Sequence, residues 1–170
     1  MNQSKKKVAI ICGGNSGEKV ISIQSAQFVK ENLNPEKYIG YKIIIDHADW
    51  HFLDENEKLH QINKHDFSME FEGEKINFDL VFNIIHGDPG ENGKMQAYFE
   101  MLNIPVSSSN SVVSALTFNK AFCNKVVAGI GVKIAESVYI FKHETIDIQQ
   151  IIDTVGLQCF VKHNEGGSSI

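Results

Sequence analysis

Val8-Ala9-Ile10-Ile11-Cys12-Gly13-Gly14-Asn15-Ser16-Gly17-Glu18 is the stretch that decides the fold. Five apolar residues in a row, bounded by lysines and by two glycines, read as a strand buried on both faces. Val20, Ile23, Ala26, Val29 and Leu33 then recur toward one side of a helix, which Pro35 ends. The order strand, glycine loop, helix starts again after Tyr38–Ile45. Leu80–Ile85 is another apolar run, followed by a second glycine loop and a helix from Lys94 to about Asn103. This alternation predicts an α/β fold, with a parallel sheet covered by helices. Ligands bind such sheets at the carboxyl ends of the strands, where both glycine loops fall.

Between the two halves, residues 46–78 are polar and irregular. Trp50–Leu53, Lys58–Ile62 and Phe67–Phe71 read as short strands separated by turns. Beyond Pro105 comes a serine-rich loop at 107–111. Phe118, Phe122 and Val126 are spaced as one helix ending near Gly129. Lys133–Phe141 is strand-like, Ile148–Val155 is an amphipathic helix closed by Gly156, and Gln158–Lys162 reads as a last strand. A domain boundary is expected near residues 112–132.

Composition sets outer bounds. The chain has 170 residues, of which 42% are apolar and 22% charged, ordinary values for a globular protein. Lys plus Arg is 16 against 21 acidic residues, a net charge of −5. That balance argues against a phosphate-backbone partner, which calls for a basic stripe. No apolar stretch approaches the ~20 residues that span a bilayer, and a cytoplasmic protein is expected. Cys12, Cys123 and Cys159 share no metal-ligand spacing, and Cys12 and Cys159 read as core thiols. Asp46, His47, Asp49 and His51 lie close in sequence but read as a solvated loop.

Each glycine loop fails the nearest common motif. Asn15 stands where a dinucleotide fingerprint needs glycine, and Gly87 and Gly93 are one residue too far apart for a Walker A loop, with Met95 after Lys94. The first loop still offers close backbone approach and a helix start suited to an anion. Glu18 sits in that first turn, where complementing the helix dipole is the simpler reading. His86 reads equally as a core histidine or a site residue. Glu165–Ser169 follows a strand ending in Lys162, a combination that suits a phosphate as well as a plain linker.

Taken together the loops are more specific. Gly13-Gly14-Asn15-Ser16-Gly17-Glu18 with Ser22 resembles the Gly-Gly-x-Ser-x-Glu…Ser opening of D-alanine–D-alanine ligases. His86-Gly87-Asp88-Pro89-Gly90-Glu91-Asn92-Gly93 with Gln96 and Ile104-Pro105 is similar to that family's His-Gly-x-x-Gly-Glu-Asp-Gly…Gln…Ile-Pro. Ser114-Ala115-Leu116…Asn119-Lys120 and Phe160-Val161-Lys162…Gly167-Ser168-Ser169 continue the likeness. Four positions depart from it: Asn92 and Asn119 replace aspartates, His163 a proline, and Val20 a common acidic residue.

The resemblance implies a Rossmann-like (pre-ATP-grasp) parallel-sheet domain over 1–111. It implies the first, incomplete lobe of an ATP-grasp domain over 112–170. It implies an ATP-dependent ligase that joins two D-alanines through a D-alanyl phosphate for peptidoglycan, with Mg²⁺ or Mn²⁺. By resemblance Glu18 would hold the first D-alanine ammonium, Ser168 would be its partner across the cleft, and His86 would lie beside the acyl phosphate, with Ser22 also at the substrate. Lys120, Lys162, Gly167, Ser168 and Ser169 would meet ATP. The metal carboxylates are expected outside these residues, so the chain by itself is expected not to turn over. A homodimer is compatible with the resemblance. The alternatives are a ligase of the same fold with another second substrate, such as D-lactate, and a non-catalytic binding module.

Overall fold

The computed structural model describes residues 4–166. The chain divides into two compact units, one running to Ala115 and one starting at Leu116. The first contains a seven-stranded sheet in the order β6-β5-β4-β3-β2-β1-β7. Its strands are β1 (Lys6–Gly13), β2 (Tyr38–Asp46), β3 (Asp49–Leu53), β4 (Leu59–Asn63), β5 (Ser68–Phe71), β6 (Glu74–Ile76) and β7 (Leu80–Asn83). Helix α1 (Lys19–Asn32) joins β1 to β2, and α2 (Lys94–Met101) and α3 (Ser111–Phe118) follow β7.

The sheet is mixed, and the lengths of its connections explain why. β1 runs parallel to β2 and to β7, and Val106 extends the parallel part by a bridge to Val81. Parallel neighbours need a long crossover, which α1 supplies. From β2 to β6 every pairing is antiparallel. His47 and Ala48 alone separate β2 from β3, and His47 takes a left-handed φ of 49°. Glu72 and Gly73, with φ of 52° and 80°, close the hairpin between β5 and β6. Turns this short return the chain beside itself. The irregular 46–78 segment is therefore an antiparallel extension of the parallel sheet.

β1 shows why it read as continuously apolar. Val8, Ile10 and Cys12 face α1 together with Ala26, Ile23, Val29 and Leu33. Ala9 and Ile11 face the other layer, with Ile43, Phe67, Met95 and Phe99. Alternate side chains enter two cores, so neither face tolerates a polar residue. Burial pushes the Cys12 thiol up to about 12, which makes it unreactive. Cys159, expected in a core, is instead exposed.

Asp66 fastens the start of β5. It accepts Lys75 Nζ at 2.6 Å, Ser68 Oγ at 2.7 Å and Ser68 N at 3.2 Å. The Lys75 ammonium foremost, then the Ser68 hydroxyl, lower its carboxyl from 3.8 to about 2. A depressed carboxyl stabilises the fold above its unfolded pKa, and that contribution disappears as pH falls through the folded value. The protection of the Ser68 amide, measured against its intrinsic exchange rate at each pH, is expected to fall as pH drops from about 4 to about 2. Asp66→Asn should remove that pH dependence.

The second unit holds α4 (Lys120–Gly129) and α5 (Ile148–Val155). The single helix expected through Phe118, Phe122 and Val126 is two, because Asn119 is extended (φ −88°, ψ 102°) and caps α4 by accepting Phe122 N at 3.0 Å. Lys133–Phe141 and Gln158–Lys162 are not strands. Their residues pair with no ladder among the described residues, and a strand needs one to satisfy its backbone. Phe160 and Val161 are 91% and 96% exposed. Among the described residues no helix is long and apolar enough to cross a membrane.

Candidate functional site

The carboxyl ends of β1 and β7 bring the two glycine loops of the first unit side by side. β1 ends at Gly13, where a φ of 96° and the 2.5 Å that would separate an added Cβ from Ile45 O exclude a side chain. β7 ends at Asn83, whose side chain folds back on the next turn. Its Nδ2 donates to Gly90 O at 2.7 Å and its Oδ1 accepts Ile85 N at 3.2 Å. This Asx-type turn stops the strand two residues before Ile85, the expected end.

Glu18 is the N-cap residue of α1, but its side chain makes no capping hydrogen bond. Its half-buried carboxylate has no partner among the described residues. Dipole complementation alone leaves that acceptor unused. His86 is likewise half-buried, and its imidazole has no hydrogen-bond partner among the described residues. Ser16 links the two main chains. Its hydroxyl donates to His86 O at 2.7 Å and accepts Glu18 N at 3.2 Å. The structure thus brings Glu18 and His86 onto adjoining loops, with the reactive ends of both side chains available.

Ser22 is fully buried. Its hydroxyl accepts Gly13 N at 3.0 Å and donates to Ile84 O at 2.7 Å. With its one proton so engaged, Ser22 fastens the ends of β1 and β7 to α1, and it reaches the site through the loops it holds. Ser22→Ala strands both backbone groups, so a loss of about 1–3 kcal/mol in stability is expected. Urea denaturation measures it. Ser22→Thr, which keeps the hydroxyl, should recover part of the loss.

His86 also lines a pocket of about 320 Å³ with Asn83, Glu91, Gln96, Ser108 and Ser109. Gln96 donates from Nε2 to Gly90 O at 2.6 Å and Ser108 Oγ at 3.3 Å, while its Oε1 is buried without a partner. Glu91 accepts Gly87 N at 2.6 Å, which shapes the His86 turn from within.

In the second unit Lys120 opens α4, and its Nζ donates to Gly166 O at 3.2 Å. Asn164 accepts Lys120 N on its main chain and Ala121 N on its side chain. Lys120 therefore meets the start of the glycine loop. Lys162 is exposed, its ammonium 5.6 Å from the centre of the Phe160 ring. Gly167, Ser168 and Ser169 lie outside the described residues.

The two asparagines that replace aspartates have the same physical setting. Asn92 Nδ2 donates to Asp88 at 2.5 Å and Asn119 Nδ2 donates to Glu165 at 2.7 Å. A carboxylate at either position would face another carboxylate, whereas an amide supplies the missing donor.

Among the described residues no three His, Cys, Asp or Glu side chains are placed to hold a metal ion. Asp46 pairs with Lys19 at 2.6 Å and Asp49 accepts Gln61 Nε2 at 3.1 Å, so that loop's carboxylates are already engaged. These residues do not form a magnesium site.

A family profile for the D-ala D-ala ligase N-terminus matches residues 7–109. The chain belongs to that family. It is 47% identical over 164 residues to the D-alanine–D-alanine ligase of Flavobacterium johnsoniae, covering 96% of this chain and 51% of that one. Among solved structures it resembles the D-alanine-D-alanine ligase of Coxiella burnetii, with TM-score 0.77 and 26% identity over 88% of this chain and 50% of that one. It also resembles the VanG D-Ala:D-Ser ligase of Enterococcus faecalis, with TM-score 0.68 and 30% identity over 78% and 44%. The chain spans about half the length of the curated relatives it matches.

Asn15, Ser16 and Asp88 were not predicted as site residues from the sequence. Asn15 and Asp88 fill open positions of the motifs, and hydrogen bonds across 70 or more residues leave no local periodic signal.

Proposed function

We propose that this chain forms the first-substrate side of a D-alanine–D-alanine ligase. In that reaction ATP phosphorylates one D-alanine carboxylate, and the amine of a second D-alanine displaces phosphate from the acyl phosphate. A carboxylate is a poor electrophile, and phosphorylation gives it a leaving group. The observation that carries the reading is the pair of side chains without a partner among the described residues, the Glu18 carboxylate and the His86 imidazole, on loops whose main chains one Ser16 hydroxyl joins. Glu18 would take the ammonium of the first D-alanine and fix its orientation. His86 would lie against the acyl phosphate, where a preorganised donor stabilises developing negative charge.

The second unit is read as the first lobe of an ATP-grasp domain, following a substrate domain of residues 1–111. Lys120 and Lys162 would meet the nucleotide, with Gly167, Ser168 and Ser169 over its phosphates. Ser168 would also complete the hydrogen-bond set on Glu18. Magnesium or manganese would be held by residues beyond these. Peptidoglycan precursor synthesis in the cytoplasm, by a homodimer, is the setting this reading gives.

A chimera tests it. Residues 1–166 replace the matching half of the Flavobacterium johnsoniae ligase, to which the chain is 47% identical. With ATP, Mg²⁺ and D-alanine the chimera is expected to release phosphate and form D-alanyl-D-alanine. A folded chimera with no such product overturns the reading. The likeness to a D-Ala:D-Ser ligase supports a second reading, in which the second substrate differs. Offering D-serine or D-lactate to a full-length ligase whose first half is this chain, and identifying the product, separates the two.

A further inference from the structure

The loops bearing Glu18 and His86 are joined by residues outside the shared letters of the family motifs. Asn15 N donates to Asp88 O at 2.8 Å, and Asn15 Nδ2 donates to Asp88 Oδ2 at 2.9 Å. Asn15 Oδ1 accepts His47 N at 3.0 Å. One asparagine therefore ties together the loops that leave β1, β2 and β7. The other Asp88 oxygen accepts Asn92 Nδ2 and Lys94 Nζ, each at 2.5 Å. The loops also touch: a Cβ on Gly14 would meet Ile85 Cγ2 at 2.5 Å and Asp88 O at 3.0 Å, and one on Gly87 would meet Ser16 Cβ at 3.0 Å.

We propose that Asn15 and Asp88 form a strap that sets the position of His86 relative to Glu18, both being positioning residues of the substrate site. This rests on reading Glu18 and His86 as substrate-binding groups. Loops beyond strand ends have no ladder to fix their register, so single cross-loop hydrogen bonds, here one from the main chain and the others from side chains, fix it. A carboxylate accepts several donors at once, and charge-assisted bonds are the strong ones. Burial acts to raise the Asp88 carboxyl, and the Lys94, Asn15 and Asn92 donors outweigh it, holding it below the usual aspartate value. The strap is thus charged at neutral pH. Asn92 belongs to the same device, since an aspartate there would place two carboxylates in hydrogen-bond contact.

The test uses Asn15→Ala and Asp88→Ala in the full 170-residue chain and in the chimera. In the chain, the Asn15 and His47 amides are expected to exchange about tenfold faster, the loss expected for one charge-assisted hydrogen bond. The His86 ring resonances should shift, while Ile10 and Ile43 amides in the sheet stay protected. In the Asp88→Ala background Asn15→Ala should add nothing to the His86 shift and only the loss of the His47 hydrogen bond. Asp88→Asn, which keeps the volume and one acceptor, serves if alanine unfolds the chain. In the chimera, Asp88→Ala is expected to lower kcat/KM for the first D-alanine about tenfold, with kcat falling because His86 acts on charge that develops in the transition state. Unchanged exchange and unchanged His86 resonances overturn the strap. Loosened loops with unchanged KM and kcat, in a chimera that Glu18→Ala inactivates, overturn its positioning role. Loosened loops in a chimera indifferent to Glu18→Ala and His86→Ala overturn the substrate-site reading and leave the strap standing.

Discussion

Glu18→Ala is expected to lower kcat/KM for the first D-alanine by roughly 10²–10³-fold in the chimera, with the fold left intact. An ammonium held by a carboxylate in a closed site loses about 3–4 kcal/mol when the partner is truncated. The unchanged stability follows from the structure. Glu18 makes no side-chain capping bond on α1, and Ser16 holds the Glu18 main chain rather than its side chain. Thermal unfolding should therefore move by no more than an ordinary surface substitution, about 0.5 kcal/mol. Glu18→Gln keeps the shape and loses the charge, and should fall between wild type and alanine. A core residue would show the opposite pattern, with stability lost first and activity following. Equal kcat/KM in the Glu18→Ala and wild-type chimeras would remove Glu18 from the substrate site.

Phe99→Ala is expected to cost about 3–5 kcal/mol of stability, a large share of what a domain possesses. Phe99 is fully buried on α2, with its ring edge-on to Phe67 at 4.6 Å between centroids. Phe67 in turn packs on Phe78 at 5.5 Å and Trp50 at 6.3 Å, so this cluster fixes the antiparallel extension against α2. Truncation leaves a cavity that rigid neighbours on the sheet cannot close. Met101→Ala, on the same helix but 76% exposed, is the control and should change stability by about 0.5 kcal/mol or less. Guanidinium denaturation of the two variants reads the difference. Because α2 starts directly after Gly93, the Phe99 variant should also loosen the His86 loop, seen as broadened His86 ring signals.

Much of the fold was legible because its signals are local. Val8–Cys12 is apolar at every position, which only a strand with two covered faces requires. Pro35 and Gly156 each mark a helix end. The strand-like runs in the second unit misled, because an apolar run carries no information on whether a partner strand lies beside it. The helix periodicity through Phe118 and Phe122 misled for a related reason: Asn119 changes the backbone between them, and apolar spacing does not register a cap. In the site, Glu18 and His86 were visible through the motifs their loops share with the ligases.

The sequence by itself determined the α/β alternation, the two glycine loops at strand ends and the family likeness, since these depend on residues near one another in the chain. Only the tertiary structure decided that Ser22 faces two backbones, that the polar 46–78 segment extends the sheet antiparallel, and that Asn15 meets Asp88. Those depend on which distant backbone groups are left needing a partner once the strands have paired. The bond between Asn15 and Asp88 spans 73 positions of sequence, and it exists because β1 and β7 lie side by side.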